Sequence, residues 1–559
     1  MYRPWCSIGL CLVGFLLAPS LRADVLRVPA DHSSIQAAIE AATVGDEVIV
    51  EAGVYKERIQ LKLGVALRSQ GDNTVGELGL VRAERTIIDG AGDDGQAAGV
   101  EMAEGSTLDG FTIRNVGVYD DTEWRRHYET QGEEQEEEPI GAAGIAGIAA
   151  TGVSCTIQNN IVHHIGYTGI GITGAEGKTC SPVVMKNICF RNMGGGIGSM
   201  RGSTAIIRQN TCFENFYAGI GHSDASPLVL ENVCYGNVRA GIGISEGSCP
   251  VVRGNKCYGN RRAGIGIRTG HETQPLVEDN DCYDNDMAGI GTREEAAPII
   301  RGNRCYRNKL AGIGSRTAAS PVVIGNECYE NASVGIGQQS NATTVLIGNF
   351  CHHNNTAGIG FDPCDSGEST LLNNRVIDNK LVAVGIQAGW KVQLAGNELA
   401  RKGGLPPIVM VFEGAEAVFV GNTIRGEGVA GIRAAGIVRI SKNIFEGTSL
   451  RKGGPPNFAV WALPGSRVTM SENRIRGWRN ALHATESTVT ATGNTVSQFH
   501  KAAFVLQQPT ARAIIAGNQI FSGDEKDVTL MVNGKPIEDG ENERVLSDMQ
   551  EDASRTDVD

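Results

Sequence analysis

Asn326-Glu-Cys-Tyr-Glu-Asn331, followed by Gly335-Ile-Gly337, is one copy of a pattern that occurs eight times between residues 187 and 360 of this 559-residue chain. Each copy has the form Asn-x-Cys-aromatic-x-Asn, and successive cysteines lie 22 to 25 residues apart. The cysteines are Cys189, Cys212, Cys234, Cys257, Cys282, Cys305, Cys328 and Cys351. A fixed period in the low twenties, made of short apolar runs and turn residues, is typical of one coil of a solenoid.

The residue types within a repeat distinguish the two solenoids that have this period, the leucine-rich repeat and the parallel β-helix. There is no Leu-x-x-Leu-x-Leu frame and no stretch with helical periodicity. One repeat contains three short strands instead, for example residues 321–324, 327–329 and 334–337, separated by Gly, Asn and Ser turns. The pattern therefore predicts an all-β, single-stranded parallel β-helix.

Stacking places the same position of each coil about 4.8 Å above its predecessor, so identical residues form columns. We expect the asparagines to chain their amides into ladders and the isoleucines and cysteines to fill a narrow core. A thiol column is also a potential soft-metal site, but the paired Cys-x-x-Cys spacing of metal sites does not occur. We expect the glycines on either side of each isoleucine to adopt positive φ angles.

The ends of the chain differ from the repeats. Residues 1–23 resemble a secretory signal peptide, with Arg3 and an apolar run from Ile8 to Ala18 that is too short to span a bilayer. This predicts a secreted or periplasmic protein without a membrane span, and we expect a monomer. The solenoid is predicted over residues 24–522, and residues 523–559 are predicted to form a strand or hairpin and an acidic disordered tail.

A short amphipathic helix is predicted at the start of the solenoid, where an open end would otherwise expose unpaired backbone groups. Ser33 to Ala42 offers a serine cap, a glutamine three residues after Ser33 and an apolar face. The following stretch, Gly45 to Glu57, and Thr86 to Gly90 resemble the opening of right-handed β-helix proteins of the pectin-lyase-like superfamily. That resemblance implies right-handed winding. It is compatible with lyases, hydrolases, esterases and epimerases of acidic polysaccharides, and with noncatalytic members.

The charge distribution excludes one class of partner. The chain has a formal net charge of −13, and the segments 119–139 and 523–559 account for the negative excess. The coil body is close to neutral, so it lacks the broad basic footprint that a nucleic acid requires. The acidic insertion 119–139 is open to two interpretations, a disordered loop or a source of oxygen ligands for a Ca²⁺ cofactor.

A column of arginines is the first candidate binding site. Arg268, Arg293 and Arg316 each lie two residues beyond the second glycine of their repeat and should stack about 5 Å apart. Uronate carboxylates of an acidic polysaccharide could bind this column, together with His271. Neutralisation by Glu272, Glu294 and Glu295 is the alternative.

The first candidate catalytic site is Gly360-Phe-Asp-Pro-Cys-Asp365, which resembles the Gly-Phe-Asp-Pro-His-Asp signature of mannuronan C5-epimerases. Asp362 and Asp365 match the signature, but Cys364 stands in place of its histidine. Removal of a sugar C5 proton requires a base with a suitable pKa. The Cys364 thiol could act as this base only if its pKa were lowered. Arg316, which is expected one coil below, could lower that pKa. Asp362, Asp365 and Arg316 are therefore the predicted catalytic residues, and an ordinary acidic turn is the alternative.

Other motifs carry weaker hypotheses. The histidine pairs 163–164 and 352–353 suggest copper, and helpers of periplasmic copper-enzyme maturation share such repeats. However, adjacent histidines on a strand should point to opposite faces. His222 is a further candidate base. The similar loops 401–407 and 451–456 would form a basic wall with Trp461 and Trp478 as sugar-stacking residues, and tolerated turn extensions are the alternative.

Together these patterns predict a protein that binds or modifies a carbohydrate, with an acidic polysaccharide as the preferred ligand. Lyase or C5-epimerase chemistry, noncatalytic carbohydrate binding, and a role as a periplasmic metal-enzyme maturation helper remain open.

Overall fold

The computed structural model describes residues 23–92, 97–132, 135, 145–508, 513–538 and 540–546. The predicted signal peptide lies almost entirely outside the described residues, as does the predicted acidic tail beyond residue 546. Each coil contributes one strand to each of three sheets, which we name A, B and C in the order in which the chain enters them. This arrangement confirms the predicted parallel β-helix.

Sheet A contains Val25–Val28, Glu47–Val50, Ala66–Ser69, Thr107–Asp109, Thr156–Gln158, Val183–Met185, Ile206–Arg208, Leu228–Leu230, Val251–Arg253, Leu276–Glu278, Ile299–Arg301, Val322–Ile324, Thr343–Ile347, Gly367–Leu372, Trp390–Ala395, Glu416–Val420, Ile437–Ser441, Arg467–Ser471, Thr488–Thr492 and Ile514–Ala516. Sheet B contains Gly53–Tyr55, Thr86–Asp89, Thr112–Arg114, Ile161–His163, Ile188–Phe190, Thr211–Phe213, Val233–Tyr235, Lys256–Tyr258, Asp281–Tyr283, Arg304–Tyr306, Glu327–Tyr329, Phe350–His352, Arg375–Ile377, Glu398–Arg401, Thr423–Gly426, Ile444–Gly447, Arg474–Arg476, Thr495–Ser497, Gln519–Ser522 and Glu543–Leu546. Sheet C contains Ile59–Gln60, Val100–Glu101, Ile148–Thr151, Ile170–Thr173, Ile197–Met200, Ile220–Ser223, Ile242–Ser245, Ile265–Ile267, Ile290–Thr292, Ile313–Ser315, Ile336–Gln338, Ala357–Phe361, Val382–Ile386, Val409–Val411, Ala430–Ala434, Phe458–Ala462, Asn480–Thr485, Ala502–Gln507, Val528–Val532 and the antiparallel strand Lys535–Ile537.

The cysteines of the repeat stack inside the coils, as predicted. Cys189 pairs in register with Cys212, and the same register continues coil by coil to Cys351. All eight side chains are fully buried and none forms a disulfide. Burial raises the pKa of thiols such as Cys212 and Cys282 well above the usual value, because a thiolate would lose its hydration. The column is a small apolar filler of the core.

Two buried asparagine ladders hold the turns, which confirms the predicted amide chains. The first runs between sheets A and B from Asn160 to Asn518, and the second runs between sheets B and C from Asn192 to Asn379. In the first ladder Asn303 Nδ2 donates to Asn326 Oδ1 at 2.9 Å, and the backbone N–H of Asn303 donates to the same oxygen. The amide of Asn303 also donates to the carbonyl of Val277 in a neighbouring coil. The ladders thus satisfy polar groups that the narrow core cannot hydrate.

The aromatic residues of the repeat form a continuous stack on the outer face of sheet B. It runs from His163 through two phenylalanines and five tyrosines to His352, with ring centroids 4.9–5.1 Å apart. The rings are nearly parallel, so their faces cover one another and mainly their edges meet solvent. The stack therefore stabilises the coils and offers no flat aromatic surface to a ligand.

Helix α1, Ile35–Ala41, covers the first coil, as predicted. Its cap is Ser34 rather than Ser33, since Ser34 Oγ accepts a hydrogen bond from the backbone N–H of Ala37. The Glu57 carboxylate accepts from two further N–H groups of the first turn. Helix α2, Val81–Arg85, is a short turn of helix before sheet B.

Helix α3, Asp121–Glu129, lies within the acidic insertion, so disorder is the wrong prediction for this part of it. Trp124 is buried against Phe216 and Val238, and its indole N–H donates to the carbonyl of Glu214 at 2.8 Å. The helix is therefore fixed on the turns between sheets B and C. Residues 133–134 and 136–144 of the insertion and its return to the coil lie outside the described residues.

In the described part of the chain, no helix has the length and apolarity needed to cross a bilayer.

Candidate functional site

A long groove runs along the outer face of sheet C, with a volume of about 400 Å³. Its floor is the second glycine of each repeat, at the outward-facing centre of the strand. These residues are Gly198, Gly221, Gly243, Gly266, Gly291, Gly314, Gly337 and Gly360. Seven coil steps separate the first from the last, or about 34 Å. The groove exists because no side chain projects from this face.

The two glycines of each repeat have different surroundings, and neither has the positive φ expected from the sequence. A Cβ on Gly289, the first glycine of its repeat, would lie 2.8 Å from both Asn308 Nδ2 and the carbonyl of Gly312. A Cβ on Gly291, the second, would meet nothing nearer than an alanine methyl at 3.8 Å. The first glycine is required by packing against the next coil. A Cβ on the second glycine of the last two repeats, Gly337 or Gly360, would lie 2.9 or 3.0 Å from a methyl group of Val334. In five other repeats neither packing nor a positive φ requires a glycine at the second position, namely Gly221, Gly243, Gly266, Gly291 and Gly314.

The groove ends where larger side chains occupy the same column of sheet C. Beyond Gly360 and Gly385 the outward position is taken by Met410, Arg433 and Trp461. These side chains fill the space that glycine leaves open in the preceding coils.

The three arginines predicted from the sequence form one wall of the groove. Arg268, Arg293 and Arg316 occupy equivalent positions in successive coils, immediately after the sheet C strands. Arg293 Nε lies 3.1 Å from the Glu294 carboxylate, so one of the three is neutralised within its own turn. Among the described residues, the guanidinium groups of Arg268 and Arg316 have no hydrogen bond or ion pair. Two stacked cations without acidic partners leave this wall positive.

The opposite wall is apolar at its base and basic at its upper edge. Its base is a column of small side chains, namely Ala218, Ala240, Ala263, Ala288, Ala311 and Val334. Arg239 and Arg262 lie at the edge of this wall. Both side chains form hydrogen bonds with the segment that follows helix α3. Arg239 Nε donates to Gln135 Oε1 at 2.6 Å, and Arg262 donates to the carbonyl of Gly132. The insertion therefore sets the height and the charge of this wall.

Asp362 lies in the same column as the arginine wall, at the end of the groove. Gln339 separates it from Arg316, and Gln339 Nε2 donates to Asp362 Oδ2 at 2.6 Å. Arg316 is thus two coils from the Gly360–Asp365 turn, not one as expected. Asp362 is also the only carboxylate among the groove-lining residues that the structure describes.

The other predicted catalytic and binding residues do not line the groove. Asp365 is exposed later in the same turn as Asp362, and its backbone N–H donates to Asn341 Oδ1. Burial raises the pKa of the Cys364 thiol, which opposes the thiolate that a base would require. His271 is exposed on a separate turn.

The structure contradicts one further sequence hypothesis and part of another. His222 points into the core, where its Nδ1 lies 2.7 Å from Ser199 Oγ, and desolvation lowers its pKa to about 3. It is therefore inaccessible as a base. Trp478 is 1% exposed and cannot stack on a sugar, while Arg401 bonds the carbonyls of its own loop.

The described residues contain no group of three or more His, Cys, Asp or Glu side chains placed to hold a metal ion. The sequence reasoning also overlooked the groove floor. A signal for it was present, since glycine recurs at one strand position of eight successive repeats.

A family model described as the right-handed β-helix region matches residues 98–274 and 251–399. Three solved structures are similar to this chain. The periplasmic alginate epimerase AlgG has 12% identity and a TM-score of 0.33, covering 62% of this chain and 77% of its own. The A-module of the Azotobacter vinelandii mannuronan C-5 epimerase AlgE4 has 16% identity and a TM-score of 0.30, covering 84% and 96%. The N-terminal fragment of bacteriophage Phi29 gene product 12 has 13% identity and a TM-score of 0.38, covering 89% and 86%.

No curated protein matches the chain. The family match spans more than half of the chain and confirms the predicted right-handed winding. This protein belongs to the right-handed β-helix family.

Proposed function

We propose that this chain is an exported protein that binds an extended acidic polysaccharide along the groove of sheet C. The observation that carries the proposal is the glycine floor. Glycine within a strand costs about 0.5–1 kcal/mol relative to alanine. At Gly221, Gly243, Gly266, Gly291 and Gly314 a Cβ would meet no atom closer than 3.5 Å, so packing does not explain this cost. Space for a ligand does.

The walls indicate the chemistry of that ligand. Arg268 and Arg316 present guanidinium groups two coils apart, or about 9.6 Å, with the Glu294-paired Arg293 between them. This spacing suits a chain that carries regularly spaced carboxylates. The alanine column opposite them offers an apolar surface for the C–H faces of sugar rings. An acidic glycan has both features, since its carboxylates project from the edges of rings whose faces are apolar.

The second candidate is lyase or C5-epimerase activity on the same polymer. Asp362 favours it, because it lies in line with the arginines and within the groove. Either reaction requires a base at the sugar C5 proton. Among the described groove-lining residues there is no histidine or lysine, and Asp362 stands at one end of the groove. Binding without chemistry is therefore the better-supported function.

The test compares two variants with equal changes in charge. Arg268→Gln/Arg293→Gln/Arg316→Gln removes the groove wall, whereas Arg304→Gln/Arg307→Gln/Arg375→Gln removes three exposed arginines of the sheet B face. We expect the groove variant to bind alginate and pectate at least tenfold more weakly, with a shallower salt dependence. We expect the sheet B variant to bind as the parent does.

Equal binding by both variants and the parent would refute the groove as the binding site. Polyglutamate serves as an anionic polymer without sugar rings, and binding as strong as that of alginate would refute carbohydrate recognition. Ultraviolet absorbance of unsaturated products and proton NMR of the incubated polymer detect lyase and epimerase activity. A signal in either that Asp362→Asn abolishes would establish the second candidate.

A further inference from the structure

The upper edge of the wall opposite the arginines changes from basic to apolar part of the way along the groove. The edge residues stack in successive coils, because each backbone N–H donates to the carbonyl of the edge residue one coil below. After Arg239 and Arg262, the next two edge residues are Met287 and Leu310. Their side chains are 38% and 51% exposed, and both line the groove. Of the described groove-lining residues, no other large aliphatic side chain is as exposed.

Each of these two residues lies in the same coil as an arginine of the first wall. Met287 and Arg293 flank the strand Ile290–Thr292. One coil further, Leu310 and Arg316 flank the next strand of sheet C. A glycine forms the floor between the two residues of each pair. This stretch of the groove therefore has a cationic edge, a flat floor and an apolar edge.

The two edges of the groove correspond to the two edges of a uronate ring. A ring that lies on the glycine floor has its edges toward the walls. Its carboxylate projects from C5, and C2 and C3 lie across the ring from that position. When the carboxylate binds Arg316, which has no acidic partner among the described residues, O2 and O3 are directed toward Leu310 and Met287.

A free sugar hydroxyl is a poor match for this apolar edge. Burying a hydroxyl against aliphatic side chains removes its water without offering a hydrogen bond, which is unfavourable. An acyl ester at the same oxygen has no such donor and adds an apolar group that gains from burial. The apolar edge is limited to two coils about 4.8 Å apart, since the next edge residue is Ser333. One acyl group can therefore contact both aliphatic side chains.

We propose that the groove selects an acidic glycan that is acylated on O2 or O3, with Met287 and Leu310 as the specificity-determining residues for the acyl group. This inference rests on the proposed function and adds the substituent that the ligand carries. The arginines and the floor bind the uronate chain, and the two aliphatic side chains favour its ester over its free hydroxyl.

The test compares alginate with the same preparation after chemical O-acetylation, which esterifies ring hydroxyls and leaves the carboxylates unchanged. Binding to the full chain is measured by titration calorimetry at one salt concentration. We expect the parent to bind the acetylated polymer about fivefold more tightly or better, because the acyl groups bury apolar area against the wall. Mild alkali removes the esters and should return the affinity to its original value.

The variant Met287→Gln/Leu310→Gln removes the apolar edge without changing the charge. We expect it to bind both polymers as the parent binds unmodified alginate, so that the preference disappears. Leu228→Gln/Ile299→Gln is the matched control, because it replaces two aliphatic side chains of similar exposure, 41% and 46%, on the outer face of sheet A. This control should keep the preference for the acetylated polymer.

Equal binding of both polymers by the parent, or weaker binding of the acetylated one, would overturn the acyl specificity and leave the proposed function standing. A preference that persists in Met287→Gln/Leu310→Gln, or that is lost in the control, would overturn it as well. Binding of neither polymer would refute the proposed function itself, and the acyl specificity with it.

Discussion

At the scale of single residues, the Gly-Ile-Gly unit combines a packing requirement with an open surface. The isoleucine is fully buried, and the glycine before it touches the next coil. The glycine after it faces outward over free space. Glycine is thus present for a different reason at each of the two positions. Substitutions at the two positions should distinguish the packing requirement from the open surface.

Gly289→Ala and Gly291→Leu form a matched pair for this purpose. We expect Gly289→Ala to lower the free energy of unfolding by about 1–3 kcal/mol or more, because its Cβ would overlap the asparagine ladder and a backbone carbonyl. We expect Gly291→Leu to leave stability unchanged or slightly higher and to block the groove, with at least a tenfold loss of polysaccharide binding. Denaturant unfolding and affinity electrophoresis measure both. Comparable destabilisation by the two substitutions would contradict the distinction.

Residue identity predicted the columns but not the conformation within them. Cys328 and Asn331 could be placed from the sequence because a constant period forces like residues together, whatever the detailed geometry. The φ angles at Gly335 and Gly337 could not, because glycine is compatible with both signs of φ. The prediction that His352 and His353 point to opposite faces was wrong, because His353 adopts a φ of 55° that brings the two rings together.

At the scale of elements, helix α3 anchors the acidic insertion on the solenoid turns beside the groove. Its exposed charges pair along the helix, for instance Arg126 with Glu123, and Asp121 pairs with Arg191 of a solenoid turn. Trp124 and Tyr128 pack against the turns of the solenoid. Arg191 also lies 4.1 Å over the Trp124 ring. The sequence indicated disorder because the segment has a high net charge. The amphipathic arrangement of the helix is not apparent from that charge.

Trp124→Ala should release the helix. Removing a buried tryptophan costs about 3–5 kcal/mol, more than a nine-residue helix can lose and stay docked. We expect trypsin to cleave after Arg125 or Arg126 much faster in the variant, while the coil body keeps its unfolding midpoint. Mass spectrometry of timed digests identifies the cut. Trp461→Ala, on sheet C beyond the groove, is the control, and an unchanged digestion rate for Trp124→Ala would show that other contacts hold the insertion.

At the scale of the whole molecule, the asparagine ladders connect neighbouring coils from Asn160 to Asn518 along the narrow core. Asn303 Oδ1 accepts from both the backbone and the side-chain amide of Asn280. Its own amide donates to Asn326. Stability in such a stack is close to a sum of nearest-neighbour terms, so damage at one rung should remain local.

Asn303→Ala should therefore destabilise its neighbourhood rather than the whole chain. The substitution leaves buried donors of Asn280 and the carbonyl of Val277 without partners, a loss of about 2–4 kcal/mol. Hydrogen exchange followed by mass spectrometry should show faster exchange in the flanking coils and unchanged exchange near residues 160 and 494. Asn355→Ala, an exposed asparagine in a turn, is the control. Uniformly faster exchange would indicate a globally cooperative molecule.

The ring stack on sheet B has an optical consequence. Five tyrosine chromophores in a row, with centroids 4.9–5.1 Å apart, are close enough for their electronic transitions to couple. Near-ultraviolet circular dichroism of the folded chain should then contain an exciton signal whose strength depends on the twist between rings. Because this signal depends on the spacing of the rings, it would report a slip or separation of neighbouring coils in solution without an added label.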